Sequence, residues 1–235
     1  MNLLLVAEEK INDSGVFTAT PEQSLHIAGV LHGKSGDRIK IGILNGKIGE
    51  AELIMPSKRE AQLKILTLDK TPPLKKKLKF VIALPRPQSF KKCLHFLSSA
   101  GIPEASFIQT ARVEKSYWSS AAMQPDKINE EIILGLEQGV DTIPPRLNFY
   151  QSFRDWKEQE GEVLTGHRFV AHPVNAVPCP RDLGQEELVV AIGPEGGFIP
   201  AEIERFGELG FECVELGSHI LRVEFALSYI TGRLS

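Results

Sequence analysis

The sequence predicts an α/β protein, in which a small β-rich unit precedes a parallel sheet covered by helices. Two patterns predict this class. Within the first 70 residues, apolar segments joined by a tight-turn dipeptide indicate an antiparallel hairpin. From residue 78 onward, continuous apolar runs alternate with amphipathic segments, as do the strands and helices of a parallel sheet. We therefore expect two domains, at residues 1–70 and 74–235.

The β-rich unit is predicted mainly from its hairpin. Residues 38–44 and 47–54 are strand candidates, and Asn45-Gly46 between them favours a two-residue type I′ turn. A further strand is expected at residues 62–68.

One helix is expected to interrupt these strands. Thr20 can cap it, Pro21 suits its first position and Gln23 completes a capping box. Its apolar pattern continues to Gly33, where we expect the helix to end.

A change of pattern separates the two domains. Residues 71–77, TPPLKKK, contain two prolines and three lysines, which are typical of a connection. Strands are then expected at residues 78–84, 105–110, 168–173, 187–193 and 211–217. Helices are expected at residues 89–101, 126–139 (with Asp126 as a candidate cap), 200–210 and 220–234.

The composition is that of an ordinary globular chain, with 42% hydrophobic and 24% charged residues. No run of about 18 apolar residues is present, and the start of the chain, which is apolar for only about five residues and then acidic, lacks the pattern of a signal peptide. We therefore expect a cytosolic protein that does not span a membrane. Cys93, Cys179 and Cys213 are widely spaced and form no C-x-x-C pair, which disfavours a disulfide framework and a metal site.

Charge is distributed unevenly along the chain. Residues 1–120 hold 18 basic and 11 acidic side chains, whereas the remainder holds 9 and 19. A basic half on an acidic chain favours the approach of a polyanion from one side. The alternative, that Lys75, Lys76, Lys77 and Lys79 are only a solvated connection, is equally compatible with the pattern.

Other motifs with chemical meaning do not support a function. HGKSGD at residues 32–37 contains the Gly-Lys-Ser of a phosphate loop, but Ala28 stands where that loop needs glycine and a strand follows. Neither G-x-S-x-G nor H-E-x-x-H occurs, so hydrolase triads and zincin sites have no support. His167 and His172 fit ordinary hydrogen-bonded histidines better than a metal pair.

The most informative stretch is AIGPEGGFIPAEIE at residues 191–204, where a buried strand runs into a glycine-rich loop and then a helix. Ligands of α/β sheets bind at the carboxyl ends of strands, and Gly193, Gly196 and Gly197 would let one approach bare main chain. Pro194 removes one donor and stiffens the loop. The pattern favours an adenine ring or an amino-acid moiety over a pyrophosphate; a tight turn that needs positive φ is the alternative.

A second strand end repeats this logic in ELGSHILRVEFA, residues 215–226. Leu216-Gly217-Ser218 form a short glycine-bearing loop before the last expected helix. Arg222 and Glu224 are expected at the start of that helix, where they could serve a site or form a purely structural ion pair.

Together, the patterns I-G-P-E-G-G-F-x-x-x-E-I and L-G-x-x-I-L-R-x-E-x-A resemble the signature of the ribosomal RNA small subunit methyltransferase E family. Weaker similarities include ALPRPQSFKK at residues 83–92, Glu137-Gln138 and His172-Pro173. The resemblance implies a SPOUT-class domain with a trefoil knot in residues 74–235. It also implies a PUA-type β-barrel in residues 1–70 that binds RNA.

The resemblance further implies a function: transfer of a methyl group from S-adenosylmethionine (SAM) to N3 of a uridine in small-subunit (16S) ribosomal RNA. Its implied partners are the rRNA or a ribosomal particle and a second copy of the chain, bound through the knotted domain. No metal is implied. The implied cofactor-binding residues are His172, Pro173, Ile192, Gly193, Pro194, Glu195, Gly196, Gly197, Leu216, Gly217, Ser218, Ile220 and Leu221.

For catalysis, Arg222 is the candidate that would stabilise the uridine anion, and Glu224 would orient it. The expected phosphate contacts are Arg38, Arg86, Lys91 and Lys92. Residues 222–226 read R-V-E-F-A where the family has R-T-E-T-A, so two hydroxyl groups are lost. Two alternatives therefore stay open: methylation of a different RNA site, and a non-catalytic RNA-binding protein that retains a SAM pocket.

Overall fold

A computed structural model describes residues 2–234 of the chain, which form two compact units. The first unit contains the residues up to Leu74 together with Ile133–Pro144. The second contains Lys75–Ile132 and the residues from Pro145 onward. The segment Ile133–Pro144 thus belongs to the first unit although it is far from that unit in sequence.

The first unit is built on a mixed five-stranded sheet with the order β1-β3-β4-β5-β2. Its strands are β1 (Leu4–Val6), β2 (Val16–Thr18), β3 (Arg38–Ile43), β4 (Ile48–Met55) and β5 (Gln62–Lys70). β1 runs parallel to β3, and the other pairs are antiparallel. The strands predicted at residues 38–44, 47–54 and 62–68 are confirmed, whereas β1 and β2 were not predicted.

The predicted type I′ turn is wrong. The backbone N–H of Ile43 donates to the carbonyl of Lys47 at 3.0 Å, so the loop encloses Leu44 as well as Asn45 and Gly46. Asn45 adopts the positive φ of this loop, at 62°. A type I′ turn needs positive φ at both of its central residues, whereas in this loop Asn45 has positive φ and Gly46 does not.

Helix α1 (Pro21–Gly29) begins at the predicted capping box. The Thr20 hydroxyl accepts a hydrogen bond from the Gln23 N–H at 3.2 Å, and the N–H of Thr20 donates to the Gln23 side chain at 3.0 Å. The helix ends earlier than the predicted Gly33, because the chain turns out of the helical conformation and His32 has a φ of 51°.

Glu137 connects the start of the chain to the rest of the first unit through hydrogen bonds. Its buried carboxylate accepts hydrogen bonds from the N–H of Leu5 at 3.1 Å and from the side chain of Gln23 at 2.8 Å. Its carbonyl accepts from the N–H groups of Asn2 and Leu3, both at 3.0 Å. Glu137, one of the residues on which the family resemblance rests, therefore has a structural role in this unit.

The second unit is built on a seven-stranded sheet with the order β10-β12-β9-β11-β6-β7-β8, and all of its strand pairs are parallel. Its strands are β6 (Leu78–Ala83), β7 (Glu104–Ile108), β8 (Arg146–Tyr150), β9 (His167–Ala171), β10 (Val177–Pro178), β11 (Leu188–Ile192) and β12 (Glu212–Glu215). The helices that follow α1 are α2 (Pro87–Ser99), α3 (Pro125–Gly139), α4 (Phe153–Gln159), α5 (Pro200–Glu208) and α6 (Val223–Leu234). The predicted α/β class with a parallel sheet is confirmed.

Three details of the second unit differ from the prediction. Helix α6 begins at Val223 instead of residue 220, and the side chain of Ile220 before it is 95% exposed. Helix α3 begins at Pro125, so Asp126 lies in its first turn and does not cap it. β8, β10 and α4 were not predicted, because edge strands and short helices lack the long apolar runs on which the prediction relied.

The core of the second unit holds the glycine loop in place. Every residue of β11 is buried. Phe198, at the far end of the loop that follows β11, packs against Phe206 of α5 with ring centroids 5.0 Å apart. Trp156 of α4 lies 5.5 Å from the same ring. The loop is therefore anchored by a buried strand on one side and by an aromatic cluster on the other.

No helix within residues 2–234 is both long and apolar enough to cross a membrane.

Candidate functional site

A cavity of about 380 Å³ opens at the carboxyl ends of β9, β11 and β12, within the second unit. This is the edge of a parallel sheet at which ligands bind in α/β proteins. The structure brings all the predicted cofactor-binding residues together in its lining. They are His172, Pro173, Ile192, Gly193, Pro194, Glu195, Gly196, Gly197, Leu216, Gly217, Ser218, Ile220 and Leu221.

The loop after β11 forms one wall of this cavity, which we call the inner cavity. The N–H of Gly197 donates to the carbonyl of Pro194 at 2.8 Å, and Gly197 has a φ of 71°. A Cβ atom placed on Gly193 would lie 3.1 Å from the backbone nitrogen of Phe198. The loop thus folds back on itself so closely that a side chain at Gly193 would force its main chain apart.

The loop after β12 forms the facing wall. Gly217 has a φ of 112°, a conformation that residues with a side chain rarely adopt. Ser218 and His219 follow it, with 3.2 Å between the hydroxyl and Nδ1 of the imidazole. Both predicted glycine loops therefore present bare main chain. Each also contains a glycine with positive φ, Gly197 and Gly217, as a tight turn requires.

Arg112 lines the inner cavity and was not predicted. It lies in the loop after β7, and its guanidinium donates a hydrogen bond to the carbonyl of Gly196. A Cβ atom on Gly196 would lie 3.1 Å from Cδ of Arg112, so the glycine is also needed for this side chain to pack. The arginine thereby fixes the tip of the glycine loop.

Arg112 also affects His172 across the cavity. Partial burial and the positive charge of Arg112 lower the pKa of the His172 imidazole. His172 is consequently neutral at neutral pH. The backbone N–H of His172 donates to the carbonyl of Val214 at 3.0 Å, which fixes the end of β9 against β12.

Glu202 of α5 connects the loop that carries Arg112 to the glycine loop after β11. It too was not predicted as a site residue. Its buried carboxylate accepts hydrogen bonds from the N–H of Ala111 at 2.7 Å and from the N–H of Ile199 at 3.0 Å. The residue before Arg112 is therefore tied to the end of the glycine loop.

A second, larger cavity of about 750 Å³ adjoins the inner one and is called here the outer cavity. Glu195, Ile220 and Leu221 line both cavities. The remaining lining residues of the outer cavity are Arg86, Pro87, Gln88, Ser89, Lys92, Tyr117 and Arg222. The outer cavity thus carries several cations and one aromatic ring.

The structure places Arg222 in the outer cavity, but it corrects the role expected for Glu224. Arg222 immediately precedes α6, and its carbonyl accepts the N–H groups of Phe225 and Ala226. Glu224 is buried and forms an ion pair with Lys92 of α2, with 3.3 Å between Oε1 and Nζ. Within the described chain Glu224 does not orient Arg222, because its carboxylate faces α2.

The Glu224 carboxylate is held in its charged form. Burial by itself would raise its pKa, but hydrogen bonds from its own backbone N–H, from Lys92 and from Ser89 outweigh this effect and lower the pKa. The pair therefore joins α2 to α6 beneath the outer cavity.

Each of the four cations expected to contact phosphate lies beside a carboxylate. Arg38 pairs with Glu50 at 3.4 Å, Arg86 with Glu195 at 3.5 Å, Lys91 with Glu131 at 3.6 Å and Lys92 with Glu224 at 3.3 Å. An exposed pair such as that of Arg38 contributes at most about 1 kcal/mol, whereas the pair of Lys92 involves the buried carboxylate of Glu224. The cationic side chains remain 45% to 71% exposed, so each can also contact an anion. Arg38 belongs to the first unit and the other three to the second.

The described residues contain no cluster of three or more His, Cys, Asp and Glu side chains with the arrangement of a metal site.

Residues 72–235, which include both cavities, match the model of a family described as the RNA methyltransferase domain. The chain belongs to this RNA methyltransferase family. Two relatives are similar to it over almost the whole chain. Ribosomal RNA small subunit methyltransferase E of Treponema pallidum is 28% identical, covering 96% of this chain and 87% of the relative. Ribosomal RNA small subunit methyltransferase E 1 of Borreliella burgdorferi is 25% identical, covering 96% and 94%. The predicted resemblance to the methyltransferase E family is confirmed.

Solved structures of methyltransferases share the fold. A ribosomal RNA small subunit methyltransferase E from Neisseria gonorrhoeae, bound to S-adenosyl methionine, superposes with a TM-score of 0.71 at 21% identity and covers 98% of this chain and 95% of that one. A putative methyltransferase from Legionella pneumophila, in complex with SAM, gives a TM-score of 0.69 at 20% identity, with 98% and 95% covered.

Proposed function

We propose that this RNA methyltransferase transfers a methyl group from SAM to N3 of a uridine in small-subunit (16S) ribosomal RNA. The observation that carries the proposal is the inner cavity, where the glycine loops after β11 and β12 face each other at the carboxyl ends of strands that flank β9. The names of the two relatives, both small-subunit rRNA methyltransferases, support the substrate. The choice of N3 rests on the family resemblance of the sequence.

The residues of the inner cavity fit SAM. Leu216, Ile192 and Leu221 offer apolar walls to an adenine ring, and the glycine loops offer N–H and carbonyl groups to its edge. Arg112 and Ser218 offer donors to the carboxylate of the methionine moiety. The neutral imidazole of His172 adds no further positive charge to a cavity that already holds Arg112, which favours the binding of a sulfonium.

SAM, when bound, supplies an electrophilic methyl group on a sulfonium that leaves as a neutral thioether. The residues of the chain then have to align the nucleophile with the carbon–sulfur bond and stabilise its negative charge. Uridine N3 is a weak acid, so its reactive form is an anion. Arg222 lies in the outer cavity beside the inner one and would stabilise that anion, as preorganised cations do in active sites.

The proposed rRNA contacts are cationic. Arg86, Lys91 and Lys92 follow β6 and lie at or beside the outer cavity, where they would position the phosphate backbone without reading its sequence. Arg38 and the first unit would add contacts at another point of the RNA. The excess of basic side chains before residue 121 supports this assignment.

We expect RNA binding to depend steeply on salt. Raising the salt concentration from 50 to 200 mM should weaken binding of small-subunit rRNA roughly tenfold or more, because several counterions are released. Filter binding at four salt concentrations would measure the slope. Lys91→Met should make the slope shallower, whereas Lys157→Met on α4, the matched control, should not. Binding that is insensitive to salt would mean that the basic half is only a solvated connection.

The finer architecture is part of the proposal. The chain passes from β9 to the edge strand β10, returns to β11 in the middle of the sheet and crosses again to β12, which supports a trefoil knot. The mixed sheet of the first unit supports a PUA-like RNA-binding domain. Exposed apolar side chains before and along α6 support a homodimer formed through the knotted domain; they are Ile220, Phe225 and Tyr229. Because its substrate is ribosomal, we expect the enzyme in the cytoplasm.

The decisive experiment is mass spectrometry of rRNA from a strain that lacks the protein, compared with the same strain complemented. Loss and recovery of 3-methyluridine in small-subunit rRNA are expected. If another nucleoside changes instead, the enzyme methylates a different RNA site. If no nucleoside changes although the purified protein binds SAM, the protein is a non-catalytic RNA-binding module that retains the pocket.

A further inference from the structure

The outer cavity has the size and chemistry of a site for one nucleotide, an assignment that rests on the proposed function. Its volume of about 750 Å³ lies within the range of small-molecule sites. It shares three residues with the inner cavity, so an occupant of the outer cavity would lie next to the cofactor. A base inside an RNA stack cannot reach a buried methyl donor, and enzymes that modify bases therefore take them out of the stack.

Tyr117 provides an aromatic surface in the outer cavity. It is half-buried in a short 3₁₀ turn, Lys115–Ser119. Gln109 braces this segment: its amide donates to the carbonyls of Thr110 and Val113, both at 2.8 Å, and its carbonyl accepts the indole N–H of Trp118. Burial and the nearby carboxylates of Glu114 and Glu195 raise the pKa of the phenol, so the ring is neutral. A neutral ring held in this way suits stacking on a pyrimidine.

Glu195 stands at the junction of the two cavities. Its Oε1 accepts a hydrogen bond from the backbone N–H of Arg86 at 3.1 Å and lies 3.5 Å from Nε of the same residue. Its Oε2 forms no hydrogen bond within the described chain. Among the lining residues of the outer cavity, Glu195 is the one with a carboxylate. It therefore offers a free oxygen to any group that spans both cavities.

We propose that the outer cavity binds the flipped target base, that Tyr117 stacks on this base, and that Oε2 of Glu195 accepts the proton from its N3. In this step the N3–H bond breaks and the proton passes to Oε2, while its electron pair stays on N3 and forms the bond to the methyl carbon. The electron pair of the carbon–sulfur bond returns to sulfur. The positive charge lost from sulfur equals that of the proton gained by the carboxylate, which then releases it to water.

The other charged groups around Glu195 support its role as the proton acceptor and that of the cations in stabilising the anion. Arg86 and Lys92 face it from the α2 side and Arg222 from the loop before α6, so cations surround the site where the N3 anion forms. Glu224 does not line the cavity and is already paired with Lys92. Cys93 is buried, and burial raises the pKa of its thiol further from neutrality, so it cannot accept the proton.

The test of Glu195 is the pH dependence of Glu195→Gln. Glutamine keeps the oxygen that accepts the Arg86 N–H but cannot take up a proton. Initial rates on small-subunit particles from a strain lacking the enzyme should fall about 100-fold or more at pH 7. The deficit should shrink as pH rises, because N3 then ionises without help. A deficit that is the same at every pH would overturn the assignment.

Two measurements separate this role from a structural one. The resemblance implies that Glu195 contacts the cofactor, and Glu195→Gln keeps the main chain of the glycine loop, so calorimetry should show SAM binding within about threefold of the wild type; loss of SAM binding would make the Glu195 carboxylate a cofactor ligand and contradict the proposal. Arg86→Met, which removes the ion pair but keeps the carboxylate, should weaken RNA binding without changing the shape of the pH profile. If it reproduces the profile of Glu195→Gln, the ion pair and not the proton transfer matters.

The stacking role of Tyr117 has its own pair of variants. Tyr117→Ala should weaken binding of small-subunit particles roughly tenfold, whereas Tyr117→Phe, which keeps the ring, should bind as the wild type does. Equal binding by all three proteins would show that the base does not occupy the outer cavity.

Failure of the proposed function can be distinguished from failure of this inference. If the wild-type protein transfers no methyl group to any particle, the assignment as an enzyme is wrong. If the wild type is active and the defect of Glu195→Gln is independent of pH, only the role of Glu195 is wrong.

Discussion

Arg222→Ala is expected to lower the methylation rate on small-subunit particles about 100- to 1000-fold, the loss that results from removing one group that stabilises charge in a transition state. Arg222 lies in the outer cavity, and within the described chain its guanidinium has no ion-pair partner. It can therefore direct its charge at an anion in that cavity. The expected defect is in the chemical step, so the measurement is single-turnover transfer of a labelled methyl group at saturating SAM.

The control for Arg222→Ala is Arg154→Ala, which removes the same charge from α4, where the side chain is 83% exposed and pairs with Glu158. Its methylation rate should equal that of the wild type. Calorimetry should show that Arg222→Ala still binds SAM, because the cofactor is expected to contact main chain. Wild-type methylation by Arg222→Ala would reject its catalytic role, and simultaneous loss of SAM binding would make it a cofactor residue.

Gly193→Val is expected to weaken SAM binding roughly 5- to 150-fold, the equivalent of about 1–3 kcal/mol of overpacking. The cause is the close return of the glycine loop, in which a Cβ atom at this position would lie 3.1 Å from the nitrogen of Phe198 and 3.2 Å from Cα of Gly197. Both neighbours are main chain and cannot rotate away. The γ-methyl groups of valine would force the two sides of the loop apart and change the shape of the inner cavity.

Gly207→Ala is the matched control for this substitution. Gly207 lies in α5, and a Cβ atom there would meet nothing within 4 Å. Its SAM affinity should equal that of the wild type, and its stability should rise slightly, because alanine favours the helix. If Gly193→Val bound SAM as tightly as the control, the glycine loop would not be the cofactor cradle.

Much of the second unit could be predicted because its strands are covered on both faces. Continuous apolar runs identified β6, β7, β9, β11 and β12, and glycines at the ends of two of them identified the inner cavity. A parallel sheet brings the carboxyl ends of its strands to one edge, so residues near 193 and 217 could be expected to meet. This reasoning needed only local patterns and one rule of sheet topology.

The contacts that depend on distant side chains could not be predicted in the same way. Arg112 lies in a loop with no motif, and only the tertiary structure places it against Gly196. The pair between Lys92 and Glu224 joins residues 132 positions apart, so the sequence suggested the neighbouring Arg222 as the partner of Glu224 instead. Tyr117 lies in a short 3₁₀ turn, which has no reliable sequence signal. Side-chain partners across a core depend on packing, which periodicity does not determine.

Titration calorimetry of the purified full chain with SAM tests the central claim most directly, because every proposed role depends on the cofactor occupying the inner cavity. We predict saturable binding that Gly193→Val weakens and Gly207→Ala leaves unchanged, together with a rise in melting temperature as SAM is added. Absence of measurable heat and of thermal stabilisation, with the wild-type chain folded, would contradict the account.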